Sequence, residues 1–134
     1  MATRLTLADM IALHADVMER AGVAARPLRD EGALDSALMR TRAAEYYEEA
    51  DLVRQAALLA VGISQAQAFL DGNKRTAQIA MQVFLRLNQL AFTGDPLDLA
   101  RQLEAVAERP GERAAAEADV ESWLRKRVAP LNPA

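Results

Sequence analysis

The chain has 134 residues, about half of them hydrophobic, and no cysteine. It is long enough to bury a core of its own, and it can form neither a disulfide framework nor a thiolate zinc site. A formal net charge of -3 repels a polyphosphate backbone rather than gathering it, which argues against nucleic acid as a partner.

The low aromatic content, 4%, together with abundant Ala and Leu, predicts an all-α fold, a single domain over residues 1–134 built as a bundle of about six helices. The amino terminus lacks the apolar region and cleavage site of a signal peptide, and no stretch approaches the length of a membrane span. A soluble, cytoplasmic protein without a membrane partner is the expectation. Thr6 and Asp9 have capping-box spacing and Gly22 stands where a helix terminates, which predicts a first helix over about 7–21. Its apolar face carries His14, the sole histidine, which is read as a buried, hydrogen-bonded structural residue. After Pro27, Asp30 caps a short second helix through Leu34, Ala37 and Leu38. Residues 41–50, with Tyr46-Tyr47-Glu48-Glu49, are helix-compatible but polar and are expected to form a connector or lip.

From 51 to 67 the stripe of Leu52, Ala56, Leu59 and Ile63, widened by Val53, Ala57 and Val61, predicts a largely buried helix. The next helix, from Gly72 onward, is apolar nearly all round apart from a stripe of Gln78, Gln82, Arg86 and Gln89, and belongs at the centre of a bundle. Asp95-Pro96 starts a fifth helix to about 108, which Pro110-Gly111 ends. A last amphipathic helix over 112–128 carries Arg125, Lys126 and Arg127 in its final turn, where they suit the negative end of the helix dipole. The tail, 129–134, is expected to fray.

One constellation can do chemistry. In Phe69-Leu70-Asp71-Gly72-Asn73-Lys74-Arg75-Thr76-Ala77 the chain passes from a helix end through a glycine into the first turn of the next helix. The unpaired backbone N–H groups there, with Lys74 and Arg75 beside them, suit an anion such as phosphate. Asp71 offers the hard oxygen that Mg²⁺ prefers, and Asn73 can donate to phosphate while staying uncharged. The plainer alternative makes Asp71 an ordinary N-cap, Gly72 a turn residue and the two cations solvated. Against it, two cations in a first turn oppose the helix dipole, a cost of a few tenths of a kcal/mol each that a bound anion reverses.

FLDGNKRTA resembles the core of the Fic/Doc motif, whose general form is His-Pro-Phe-x-Asp-Gly-Asn followed by Gly-Arg in Fic proteins and Lys-Arg in the Doc branch. Lys74 places the resemblance on the Doc side. IALHADVMERAG, RDEGALDSAL and YYEEADL, in order and in register, extend it over residues 10–94; beyond that only helix number and length agree. The resemblance implies one Fic/Doc domain over 1–134 and a toxin encoded beside an antitoxin. By family it is a kinase that uses ATP and Mg²⁺ to phosphorylate elongation factor Tu and block translation. Carried over by position, Asp71 binds the metal, Asn73 and Arg75 hold phosphates, Lys74 contacts the nucleotide, Gly72 fits the anion hole and Phe69 anchors the loop. The catalytic positions are Gln67, Asp71 and Arg75; the cofactor-binding ones are Gly72, Asn73, Lys74 and Arg75.

The sequence departs from the motif at two places: Ala68 stands at the proline and Gln67 at the histidine that serves as general base. An amide has no basic lone pair near neutral pH, and a missing general base costs about 10² to 10⁴ in rate. The expected outcome is nucleotide binding with little or no turnover. Three origins for Gln67 stay open: an engineered substitution that silences a toxin, a natural degenerate toxin, or a different chemistry. The intact Asp71, Lys74 and Arg75 favour the first. A non-catalytic nucleotide- or partner-binding protein and an AMP-transferring enzyme are the alternative functions.

Overall fold

The structure is a computed structural model that describes residues 1–132. Every residue of positions 55–64 is buried, and the helix that carries them, α3 (Leu52–Ala66), packs against four others. These are α2 (Glu31–Glu48), α4 (Asn73–Leu87), α5 (Pro96–Ala107) and α6 (Arg113–Arg125), while α1 (Leu7–Arg20) lies against α4 and α2. The described residues thus form six helices with a single two-stranded sheet, an all-α architecture. None of the helices is long and apolar enough to cross a membrane.

Local signals place most of these boundaries. Thr6 and Asp9 form a reciprocal capping box on α1, with Gly22 at a φ of 76° just past its end. Asp30, Asp51 and Asp95 each accept a hydrogen bond from the first turn of the helix that follows, an arrangement that stabilises a helix start by about 1 kcal/mol. The core gathers Met10 of α1, Leu34 of α2, Ile63 of α3, Phe84 and Leu85 of α4, and Leu99 of α5. Side chains of this size each contribute about 1.5–3 kcal/mol on burial.

Three expectations are corrected. The second helix is not short: α2 runs without interruption through Thr41 and Ala44, both buried, and absorbs the segment read as a connector. That segment looked solvated because its charges are paired across the bundle. Arg40 bridges to Glu48 and to the buried Glu117 of α6, and Glu45 bonds Arg4 and Gln55. Tyr46 and Tyr47 do stay exposed.

The last helix stops at Arg125, and the chain then turns into a strand, β2 (Val128–Pro130), antiparallel to β1 (Leu90–Phe92). A backbone bond from Leu131 N to Gln89 O extends the pairing. Residues 129–131 are therefore fixed rather than frayed, because the edge groups of β1 need partners; residues 133–134 lie outside the described part. The basic run at the end of α6 does more than offset a dipole. Arg125 bonds Asp51 and Glu121, holding the Asp51 carboxyl below the usual aspartate range through its hydrogen bond, and Arg127 lies 4.4 Å over the Trp123 ring.

Candidate functional site

The turn between α3 and α4 carries Gln67, Asp71, Gly72, Asn73, Lys74 and Arg75, and it has two differently built halves. The first half is tied down. Gln67 ends α3 in the left-handed region, φ 49° and ψ 40°, a conformation that costs a residue with a side chain about 1–2 kcal/mol. Its side-chain Nε2 donates to Ser64 O at 2.7 Å, satisfying one of the carbonyls that a helix end leaves open. Arg29 donates through its guanidinium to Gln67 O, and the backbone N–H groups of Arg29 and Asp30 both donate to Ala68 O, at 2.8 and 3.1 Å. The segment between α1 and α2 thus clamps the very positions at which the sequence departs from the motif.

Phe69, only 2% exposed, is stacked on His14 with the ring centroids 3.8 Å apart and the planes 7° from parallel. His14 Nε2 lies 2.8 Å from Asp71 O. A carbonyl only accepts, so Nε2 carries the hydrogen. The histidine is buried and hydrogen-bonded, as expected, and it is also a support of the loop. Gly72, at φ 79°, completes this half: a Cβ there would stand 2.8 Å from Met18 Sδ and 3.5 Å from His14 Nε2. Glycine takes that backbone without strain and leaves Met18 in place, whereas a side chain there would have to displace it.

The second half is open. Gly72, not Asp71, is the N-cap of α4, and no side chain caps the helix. The plain reading of Asp71 as an N-cap does not hold; its Oδ1 instead accepts from the adjacent Gly72 N at 2.8 Å, and the residue is exposed. The first turn of α4 therefore presents backbone donors and the positive end of its dipole without a side chain to meet them.

A cleft of about 350 Å³ borders this turn, lined by Gln67, Asp71, Gly72, Asn73 and Lys74 on one side and by Glu104 and Glu108 of α5 on the other. Lys74 Nζ lies 3.5 Å from Glu104 Oε1 across it. Arg75 is exposed and does not line the cleft. Asn73 is not free in this structure: Oδ1 accepts from Phe69 N at 3.0 Å, while Nδ2 donates to Phe69 O at 2.8 Å and to Gln67 Oε1 at 3.5 Å. Five of the six sequence-predicted residues thus meet at one cleft, Arg75 stands beside it, and Asn73 organises the loop.

Sequence reasoning missed the Arg29 clamp and the contact of His14 with the loop. Arg29 sits inside the RDEGALDSAL stretch, but nothing in that stretch says that it reaches residues 67 and 68.

The residues present suit a magnesium-bound phosphate group. Asp71 supplies one hard carboxylate, Lys74 and the uncapped turn supply donors, and such an ion keeps water and phosphate oxygens as its remaining ligands. Among the described residues no group of three or more His, Cys, Asp or Glu could hold a metal ion by side chains alone. The acidic wall of Glu104 and Glu108 makes a bare polyanion a poor fit and a metal-neutralised one a better fit.

A stretch of 70 residues is 39% identical to Toxin Doc of Mycolicibacterium smegmatis, covering 51% of this chain and 54% of that protein. The chain thus matches about half the length of that relative. The Fic/DOC family model matches residues 4–85, which include the clamp, His14, the whole turn and nearly all of α4; this chain belongs to the Fic/DOC family.

Proposed function

We propose that this chain is a Doc-type toxin of a toxin–antitoxin pair, by lineage an ATP- and magnesium-dependent protein kinase acting on elongation factor Tu, with turnover held low by Gln67. The observation that carries the reading is the uncapped first turn of α4, with Lys74 and Asp71 on the same cleft. That is the chemistry a nucleotide's phosphates require, in a chain similar to Toxin Doc over 70 residues.

In the reaction a hydroxyl of the target attacks the γ-phosphorus, the bond to the β,γ-bridging oxygen breaks, ADP leaves, and the hydroxyl proton passes to a base. Lys74 and the backbone donors of α4 are placed to orient phosphate oxygens, and Asp71 would hold the metal. Magnesium, when bound, offsets charge on the phosphate oxygens. Gln67 stands where the family's base stands and cannot take the proton, and its amide donates to Ser64 O instead of pointing a lone pair at a substrate. That contact favours one second reading, a protein that binds nucleotide or a partner without catalysing transfer.

Calorimetry with ATP and MgCl2 tests the binding step, and a saturable heat is expected. No heat at millimolar nucleotide overturns the phosphate site. Co-expression with the product of a neighbouring small gene, followed by size exclusion, tests the antitoxin. A stable complex is expected, and separate elution counts against the toxin reading.

A further inference from the structure

We infer that Gln67 is a positioning residue, whose side-chain amide ties the end of α3 to Asn73 and so holds the turn in its anion-accepting shape before any ligand arrives. The inference rests on the proposed phosphate site. Four contacts form a chain through it: Ser64 O accepts from Gln67 Nε2 at 2.7 Å, Gln67 Oε1 faces Asn73 Nδ2 at 3.5 Å, and Asn73 bonds both the N–H and the carbonyl of Phe69. Asn73 is also the first residue of α4, so fixing its side chain fixes where the open turn begins.

An amide suits this place because it donates from one atom and accepts on another at the same time. The donor is needed for the α3 carbonyl and the acceptor for Asn73. Position 67 has φ 49°, where glycine is the usual residue, so a glutamine there can be exchanged for glycine without backbone strain. The Arg29 guanidinium on Gln67 O and the two N–H groups on Ala68 O fix the backbone of the same corner from outside. With the main chain clamped, the amide oxygen faces Asn73 Nδ2 at 3.5 Å on the edge of the cleft.

Gln67→Gly separates this role from general structural support, because glycine adopts the left-handed backbone without strain while losing both side-chain contacts. The thermal midpoint is expected to stay within a few degrees of the parent. Affinity for ATP with MgCl2, by calorimetry, is expected to fall about five-fold, the equivalent of about 1 kcal/mol for one lost positioning contact. In parallel, NMR exchange of the Asn73 side-chain amide reads the lock without any ligand. The Nδ2 proton that faces Gln67 is expected to exchange faster in Gln67→Gly, while the one bonded to Phe69 O stays protected. Unchanged affinity in a folded variant overturns the inference. If the parent itself binds no nucleotide, the proposed phosphate site fails, and the lock is decided by exchange alone: an unchanged Asn73 proton overturns it and a faster one supports it.

Discussion

The two halves of the turn between α3 and α4 differ in what satisfies them. Residues 67–69 and Asn73 are bonded to the protein: to Ser64, to the Arg29-Asp30 corner, and to each other, with Phe69 stacked on His14. The first turn of α4 has no side-chain cap and opens on a cleft with Lys74 and Asp71. An open helix start is not by itself distinctive here, since α6 also begins without a side-chain cap; what sets α4 apart is that its open turn follows an anchored loop and borders a cleft shared by Lys74 and Asp71.

The anchored half can be broken most severely at Phe69. Phe69→Ala removes a buried ring and the stacking partner of His14, and is expected to cost about 3–5 kcal/mol of stability in urea unfolding. A loss below about 1 kcal/mol would mean that the ring does not anchor the loop. The open half should respond in binding and not in stability. Lys74→Ala, at an exposed side chain, is expected to leave the unfolding midpoint in place and weaken ATP binding about three- to ten-fold at low ionic strength, with the difference shrinking as salt is added. Equal affinities at low salt would remove Lys74 from the site. The smallest effect is expected from Glu104→Gln, which frees Lys74 from its ion pair and removes one negative charge from the opposite wall. Affinity should rise about two-fold, and a fall would show that Glu104 helps to hold the ligand.

The same contrast marks what could be read in the sequence. Signals that act within a few residues were legible: the Thr6–Asp9 box, the caps at Asp30 and Asp95, and the apolar stripe of α3 all appear where their spacing puts them. The turn was legible as well, because its residue types are consecutive.

What depends on partners far along the chain was not. The polar part of α2 reads as solvated until Arg40 meets Glu117, 77 positions away. Val128–Pro130 carries no strand pattern and is a strand only because β1 lies beside it. His14 was legible as buried but not as a support of Asp71, 57 positions on. Arg29 reaches Gln67 across 38 positions from a segment with no regular structure to announce its direction.

The central claim, that the turn is a phosphotransfer site in which Gln67 stands in place of the base, is tested most directly by Gln67→His. The purified variant is incubated with elongation factor Tu, MgCl2 and ATP labelled at the γ- or the α-phosphate, beside the parent chain. Label from γ-labelled ATP should enter the target with the variant and not, or about 10² to 10⁴ times more slowly, with the parent. Expression of the variant should also arrest bacterial growth. Transfer of the α-label instead would assign AMP transfer, and transfer of neither label by a folded variant that binds ATP would contradict the kinase and leave a nucleotide-binding protein.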